Sequence, residues 1–300
     1  MTSEAVMEIN QGGAMEKQSI YGKHVRTSDV ILTVLIYAAA SVSILLLIGI
    51  MGYVFVRGLP VISWQFLSTV QSSISGTFGI LGNIVNTLYI VVITLLIATP
   101  IGIGAAIYLN EYAKPGKIVK IIEFTTETLS GIPSIIFGLF GMVFFGNTLG
   151  LGYSILTGAL TLSLMVLPLI TRTTQEALKT VPDSYRSGAL GIGATKWYMI
   201  RTILLPSAMP GIITGVILAI GRMVGESAAL LFTSGSGFIL PRDFFGKIFE
   251  SGGTLTIQLY LCMQKAQYDE AFGIAVVLLV LVLGINGLAK YLSHRFDVEK

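Results

Sequence analysis

Ten residues in the second half of the chain, Leu218-Ala219-Ile220-Gly221-Arg222-Met223-Val224-Gly225-Glu226-Ser227, set an arginine and a glutamate inside an apolar run. Read as helix, Arg222 and Glu226 are four apart on one face, where they can pair. Counting 16 residues from Pro206 at ~1.5 Å each places Arg222 up to ~24 Å along that helix. A guanidinium at such a depth of a bilayer costs several kcal/mol unless it faces protein or water, which makes it a functional candidate. The plainer reading is a buried ion pair that fixes helix packing. Gly221 and Gly225, which let another segment approach the same face, weigh toward function. Arginine's planar fork matches the oxygens of a tetrahedral oxyanion. A neighbouring carboxylate favours an anion that carries a proton: hydrogen phosphate can donate a hydrogen bond to Glu226, whereas fully deprotonated sulfate cannot.

Such a pair needs a membrane around it, and the composition is that of a membrane protein. The chain is 53% hydrophobic and 12% charged, with mean hydropathy +0.81, against roughly 25% charged in a soluble domain. Val30–Val56 runs 27 residues without a charge, long enough to span with tilt. A cleaved signal peptide has a short apolar core and a small-residue cleavage site, so this run reads as a first membrane helix that stays. Further spans are expected near Asn83–Leu109, Val119–Gly146, Tyr153–Ile170, Ser207–Phe232 and Phe272–Leu292. The expected fold is therefore an all-α membrane protein of six transmembrane helices. Pro100 should bend the second span, and Gly131-Ile132-Pro133-Ser134 should break or kink the third. Trp64 and Phe66 suit the headgroup boundary between the first two. Glu123 and Glu127 either face the bundle, where their charges repel, or lie at the membrane boundary, the commoner place for charges.

Six spans put both termini on one side. Assigning residues 1–29, the loops at 110–122 and 172–206, and the C-terminus from Lys290 onward, which takes in the tail 293–300, to the cytoplasm collects 14 of the 19 basic residues. Arg57, Arg242, Lys247 and Lys265 then fall outside and Arg222 within the membrane. The positive-inside rule makes both termini cytoplasmic. The remaining divisions are a transmembrane domain over 30–292 and an outer loop over 233–271, whose TLTIQLYLCM stretch is apolar enough to re-enter the membrane in part. The net charge of +3 sits in a few loops and argues for membrane orientation, not for nucleic-acid binding. A lone cysteine, Cys262, excludes an intrachain disulfide and a cysteine-cluster metal site, and reads as apolar filler. The two histidines, His24 and His294, lie near opposite ends of the chain, so no histidine-based metal or catalytic cluster is expected.

The loop ahead of the Arg222 span is the long one, and it has a helical pattern of its own. Over Thr180–Pro210 it divides at Gly191 and Gly193, the residues that turn most cheaply. Before them, Pro182 can open a short helix capped by Thr180. After them, Thr195 can cap a second helix whose Trp197, Ile200 and Leu204 form one apolar face, with Lys196 and Arg201 staying polar. Pro206 and Pro210 are expected to mark where the chain turns back into lipid. An amphipathic loop resting on headgroups is the bland alternative.

Within that loop, Ser187-Gly188-Ala189, Gly193, and Ile203, Leu205 and Pro206 have the spacing "EAA, three residues, G, nine residues, I-x-L-P". In this the chain resembles the ABC importer permeases, although Ser187 stands where they commonly have Glu and Gly188 where they have Ala. LAIGRMVGESAALLFTSG is similar to the span-five signature of the phosphate-specific members. PIGIGAAIYLNEYA, SGIPSIIFGLFG, VPDSYR and GATKW extend that resemblance over roughly residues 83–232, most like the A-type subunit. The resemblance implies a type I permease bundle whose loop at 173–206 couples to a cytoplasmic ATPase dimer through Ser187, Gly188, Ala189, Gly193, Ile203, Leu205 and Pro206. It implies pairing with a C-type permease, delivery by an extracytoplasmic phosphate-binding protein, and Arg222 and Glu226 as pathway residues. No cofactor is expected, and without a G-x-x-x-x-G-K-[ST] loop the chain should leave ATP hydrolysis to its partner. A permease for molybdate, sulfate or an amino acid, and a channel or ion-driven carrier lacking an ATPase, are the rival readings.

Overall fold

The computed structural model describes residues 27–72, 76–114, 116–241, 243 and 245–295, with backbone alone for 292–295. The expected N-terminal segment, apart from residues 27–29, lies outside the described residues, and so do His24, the side chain of His294 and residues 296–300. The chain divides after Gly52 into two units. The described part of the first is a single exposed apolar helix, α1 (Thr27–Gly58), which continues into the second.

In the second unit α1 ends beside the helix Tyr268–Arg295, with Tyr53 edge-on to Phe272 at 5.5 Å between ring centroids. A short α2 (Trp64–Ser68), capped by Ser63, leads into an antiparallel hairpin, β1 (Val70–Ser72) with β2 (Thr77–Ile80). Val70 pairs with Ile80 and Ser72 with Thr77, with a bulge between. Phe66 does not sit at a lipid boundary: it is buried among Ile80, Leu255, Cys262, Ala271 and Ile274, and only Trp64 is exposed.

From Ile80 the chain enters α3 (Leu81–Ile107), which ends in a wider π-turn over Tyr108–Tyr112. α4 (Lys117–Ser130) and α5 (Ser134–Gly141, continued by a π-turn to Thr148) follow. The break expected at Gly131–Ser134 is sharp: the two halves are bent by 101°. α6 (Ile155–Thr180), α7 (Asp183–Gly191), α8 (Lys196–Met199) and α9 (Leu205–Val224) come next. α10 (Ala228–Thr233), α11 (Leu255–Gln264) and α12 (Tyr268–Arg295) complete the chain. Among the described residues five helical stretches are long and apolar enough to cross a membrane, and six if the bent α4–α5 pair counts as one.

α6 is the central helix: 67% of its apolar stretch is buried, against 33% for α3 and 22% for α12. It packs against α3 and α9, and near its start against α5 and α10. Lipid gives no hydrophobic drive for helices to associate, so close packing has to hold them, and small residues set the distance. A Cβ on Gly138 of α5 would lie 2.8 Å from the Ala229 Cα of α10, and one on Gly102 of α3 2.8 Å from Ile170 of α6. Some hydroxyls in these seams bond inside their own helix, as Ser163 Oγ does to the Ala159 carbonyl at 2.7 Å, and Thr94 Oγ1 donates across the seam to the same carbonyl at 3.3 Å, whereas the buried hydroxyls of Thr99, Thr171 and Thr174 have no partner among the described residues.

At the end where α3 and α6 begin, the loop expected at 233–271 is largely part of the core. α11 buries Leu255, Ile257 and Cys262. Asn83 Nδ2 donates to the Gly253 carbonyl and Asn86 Nδ2 to that of Gly237, both at 2.9 Å, which ties the segment to α3. Lys247, counted from sequence as a loop charge, is buried, with Nζ donating to the Ile239 carbonyl at 2.7 Å and lying 3.3 Å from Glu250. Burying an ammonium is tolerable because both partners compensate for lost water.

Candidate functional site

At the opposite end of the bundle α7 and α8 form an elbow. Thr180 does not cap α7; it closes α6, its Oγ1 donating back to the Ala177 carbonyl at 2.8 Å. α7 starts after Pro182, with Asp183 in the first turn, where the helix's positive end favours an acid. Gly193 sits at φ +84°, a conformation open mainly to glycine, and it makes the corner. Thr195 Oγ1 accepts from the Tyr198 N–H at 3.3 Å and caps α8 as the sequence indicates.

The expected turn at Pro206 is absent. α8 runs through a π-turn at Ile200–Leu204 into α9, so Lys196–Val224 is one membrane-length helix. Proline lacks an N–H and its ring crowds the carbonyl four residues back. The wider turn immediately before Pro206 relieves that demand on regular α-helix bonding. Met199, Ile200 and Leu204 point inward, while Trp197, expected to share their face, is exposed. The elbow displays Tyr185, Leu190, Ile192, Trp197 and Tyr198 to its surroundings, Ile192 being 87% exposed. Of the signature residues, Ser187, Gly188 and Gly193 lie on this outer side, Ala189 is buried, and Ile203, Leu205 and Pro206 are half-buried.

The strongest polar contact of the elbow falls on a residue that sequence reasoning passed over. Glu111, in the π-turn at the end of α3, is 5% exposed and Arg186 of α7 18% exposed. Arg186 Nη2 and Nε donate to Glu111 Oε1 at 3.0 and 3.2 Å, and Asn110 Nδ2 donates to the same oxygen at 2.8 Å. The guanidinium also donates to the carbonyls of Leu178 (2.9 Å) and Val181 (2.8 Å) and to Asp183 Oδ1 (3.1 Å). Lys196 of α8 donates to the Glu111 backbone carbonyl and lies 5.0 Å from the centre of the Tyr112 ring. The available signal was a glutamate embedded in the basic stretch NEYAKPGKIVK.

The second constellation differs from its sequence reading. Gly225 ends α9, so Glu226 leaves the helix and the four-residue spacing no longer aligns it with Arg222. Among the described residues the two do not form an ion pair. Glu226 Oε1 accepts instead from the Ala229 N–H at 3.1 Å, capping α10. Its backbone carbonyl accepts from Thr256 Oγ1 at 2.8 Å. Arg222, half-buried, occupies the last turn of α9, where the helix's negative end favours a cation. Among the described residues no segment closes on Gly221, beside which a Cβ would meet nothing within 4 Å. Thr214, Leu218, Gly221, Arg222 and Gly225 thus form an open stripe, opposite the buried Ile212, Gly215, Ala219 and Met223.

Between α4 and α6, on the elbow's side, Glu123, Thr126, Glu127, Arg172, Gln175, Glu176 and Lys179 line a cavity of about 280 Å³. Arg172 lies 3.6 Å from Glu127 and 3.3 Å from Glu176, all well exposed. Glu123 and Glu127 thus lie on an exposed face rather than in a dry interior, and exposed pairs of this kind contribute ~0–1 kcal/mol.

Residues 98–298 match the family described as binding-protein-dependent transport system inner membrane component. The chain belongs to that family. It is 36% identical to the probable ABC transporter permease protein YqgI of Bacillus subtilis, over 89% of this chain and 96% of that one. It is 34% identical to the phosphate transport system permease protein PstA 2 of Mycobacterium bovis, over 83% and 82%. A chain of the bacterial alginate ABC transporter, solved with its alginate-bound periplasmic protein, superposes with a TM-score of 0.67 at 19% identity, covering 90% of this chain and 98% of that one. The fold is accordingly the bundle of type I ABC importer permeases, and the protein is a multi-pass membrane permease subunit. The family match takes in the elbow, Glu111, Arg222 and Glu226, and α1 lies outside it.

Proposed function

We propose that this permease imports inorganic phosphate, driven by ATP hydrolysed on a partner. The reading puts both termini and the elbow in the cytoplasm, where 14 of 19 basic residues gather. Ile192, Leu190, Trp197 and Tyr198 form the face that enters a groove of an ATPase dimer. Arg222, on the open stripe of α9, faces a homologous C-type permease across the pathway, and an extracytoplasmic binding protein delivers the anion. Arg222 binds phosphate oxygens, and the Glu226 carboxylate, held by the Ala229 N–H, accepts the proton-bearing hydroxyl of hydrogen phosphate.

One observation carries this reading: the helix that begins at the elbow, Lys196, runs unbroken to Val224 and holds Arg222 in its last turn. Movement of the elbow when the ATPase closes on ATP therefore tilts the arginine with it, as alternating access requires. The name of PstA 2 supports phosphate among the oxyanions. The test is uptake of radiolabelled phosphate into vesicles holding the assembled transporter, with sulfate and molybdate as competitors. Uptake that survives inactivation of the ATPase nucleotide site refutes the ATP-driven reading. An unaltered preference for phosphate over sulfate in Glu226→Gln refutes the role given to the carboxylate.

A further inference from the structure

Glu111 is gripped twice, by different elements. Its carboxylate, almost fully buried, accepts from Arg186 of α7, and its backbone carbonyl accepts from Lys196 of α8. The two arms of the elbow, on opposite sides of the Gly193 corner, thus converge on one residue of a third helix. The covalent chain joins the elbow only to α6, through Val181, and to α9, through the π-turn.

We infer that Glu111, Arg186 and Lys196 are positioning residues that latch the elbow to α3, so that force from the ATPase moves α3 together with α9. The inference rests on the coupling role proposed above for the elbow. Three features give the latch its stiffness. The guanidinium is planar and fills its donors on fixed acceptors, the Leu178 and Val181 carbonyls and the Glu111 carboxylate, so Arg186 cannot swing without breaking several bonds together. The carboxylate is shielded from water, which strengthens the pairing compared with an exposed one. Asn110 completes the same oxygen, so Glu111 is oriented before Arg186 reaches it. The latch sits on a π-turn, a local register defect of the kind found where helices act at functional sites. Lys196 adds a weaker, exposed hold on the other arm, stacked over Tyr112.

Without the latch, α3 would follow the elbow only through apolar packing, against α6 and of Ile103 and Ile107 on the Met199, Ile200 and Leu204 cluster, and part of the stroke would be lost before it reached the pathway. The readout is the number of phosphate ions imported per ATP hydrolysed by the whole transporter in proteoliposomes. Glu111→Gln and Arg186→Lys are expected to lower that ratio about five-fold or more, the lower range of a coupling interaction, while the ATPase still copurifies. Lys196→Met, which removes only the exposed hold, is expected to give a smaller drop in the same direction and serves if the buried variants assemble poorly.

A ratio within about two-fold of the unmutated transporter in all three variants, less than any ordinary coupling energy, overturns the latch and leaves the phosphate reading intact. Uptake and hydrolysis that fall in parallel, with the ratio unchanged, make the contact structural only and likewise overturn it. If the unmutated transporter shows no ATP-dependent phosphate uptake, the functional reading itself fails and takes the latch with it.

Discussion

Gly193 offers the sharpest test of the elbow, because its neighbour Gly188 is a built-in control. Gly193 holds φ +84° and donates its N–H to the Leu190 carbonyl at 3.0 Å; Gly188 lies within α7, with open space where a Cβ would go. A side chain at Gly193 meets no neighbour, so the whole cost of Gly193→Ala is backbone strain, about 1–2 kcal/mol. Gly188→Ala has the opposite sign: alanine in a helix is favoured over glycine by about 0.8–1.0 kcal/mol. If the elbow opens locally, as surface elements do, these energies appear in its hydrogen exchange. Amides of residues 189–199 should exchange roughly 5- to 30-fold faster in Gly193→Ala, by the Boltzmann factor of that strain. The same amides should slow by a few-fold in Gly188→Ala. Exchange that quickens equally in both variants would refute the positive-φ corner as the element that shapes the elbow. Gly193→Pro, which also removes the donor to Leu190, should go further and uncouple ATP turnover from uptake, with the bundle still folded.

Other outcomes can be checked more briefly. Gly138→Ala forces a methyl against the backbone of Ala229 and should lower stability in detergent by about 1–3 kcal/mol, seen as an earlier unfolding midpoint. Burial pushes the Cys262 thiol up, helped by Glu270, so it should resist a water-soluble maleimide at mildly alkaline pH and react once the protein is unfolded. Arg222→Lys keeps the charge but loses the planar fork, and phosphate uptake should fall while the ATPase still binds.

Much of this was legible because the physics is local. Apolar run length located α1, α3, the α4–α5 pair and α12 to within a few residues, although α6 runs on past the expected Ile170 to Thr180 and the next span lies at Lys196–Val224 rather than Ser207–Phe232. The Thr195 cap and the Gly193 corner need only their own neighbours, and Gly131–Ser134 announced the 101° bend. What failed depended on register. A four-residue spacing aligns Arg222 with Glu226 only while the helix continues, and Gly225 stops it. Pro206 reads as a breaker only if the turn before it is a regular one, and it is not. Glu111 and Arg186 are 75 residues apart, so nothing in either stretch points to the other. Phe66 looks like a boundary residue until the hairpin and α11 fold over it, and Lys247 like a loop residue until its turn packs against α6.

The π-turn at Ile200–Leu204 has a consequence for the far end of its helix. It stores roughly one surplus residue, so rewinding it as plain α-helix would spin everything beyond it by about 100°. The aim of the Arg222 guanidinium is thus set by winding at the other end. Deleting one residue inside the turn should remove the surplus and leave the arginine pointing as it does now. The same deletion a few residues later would instead move the arginine about 100° round the helix, into the place Gly221 now holds, still on the open stripe but aimed away from its present direction.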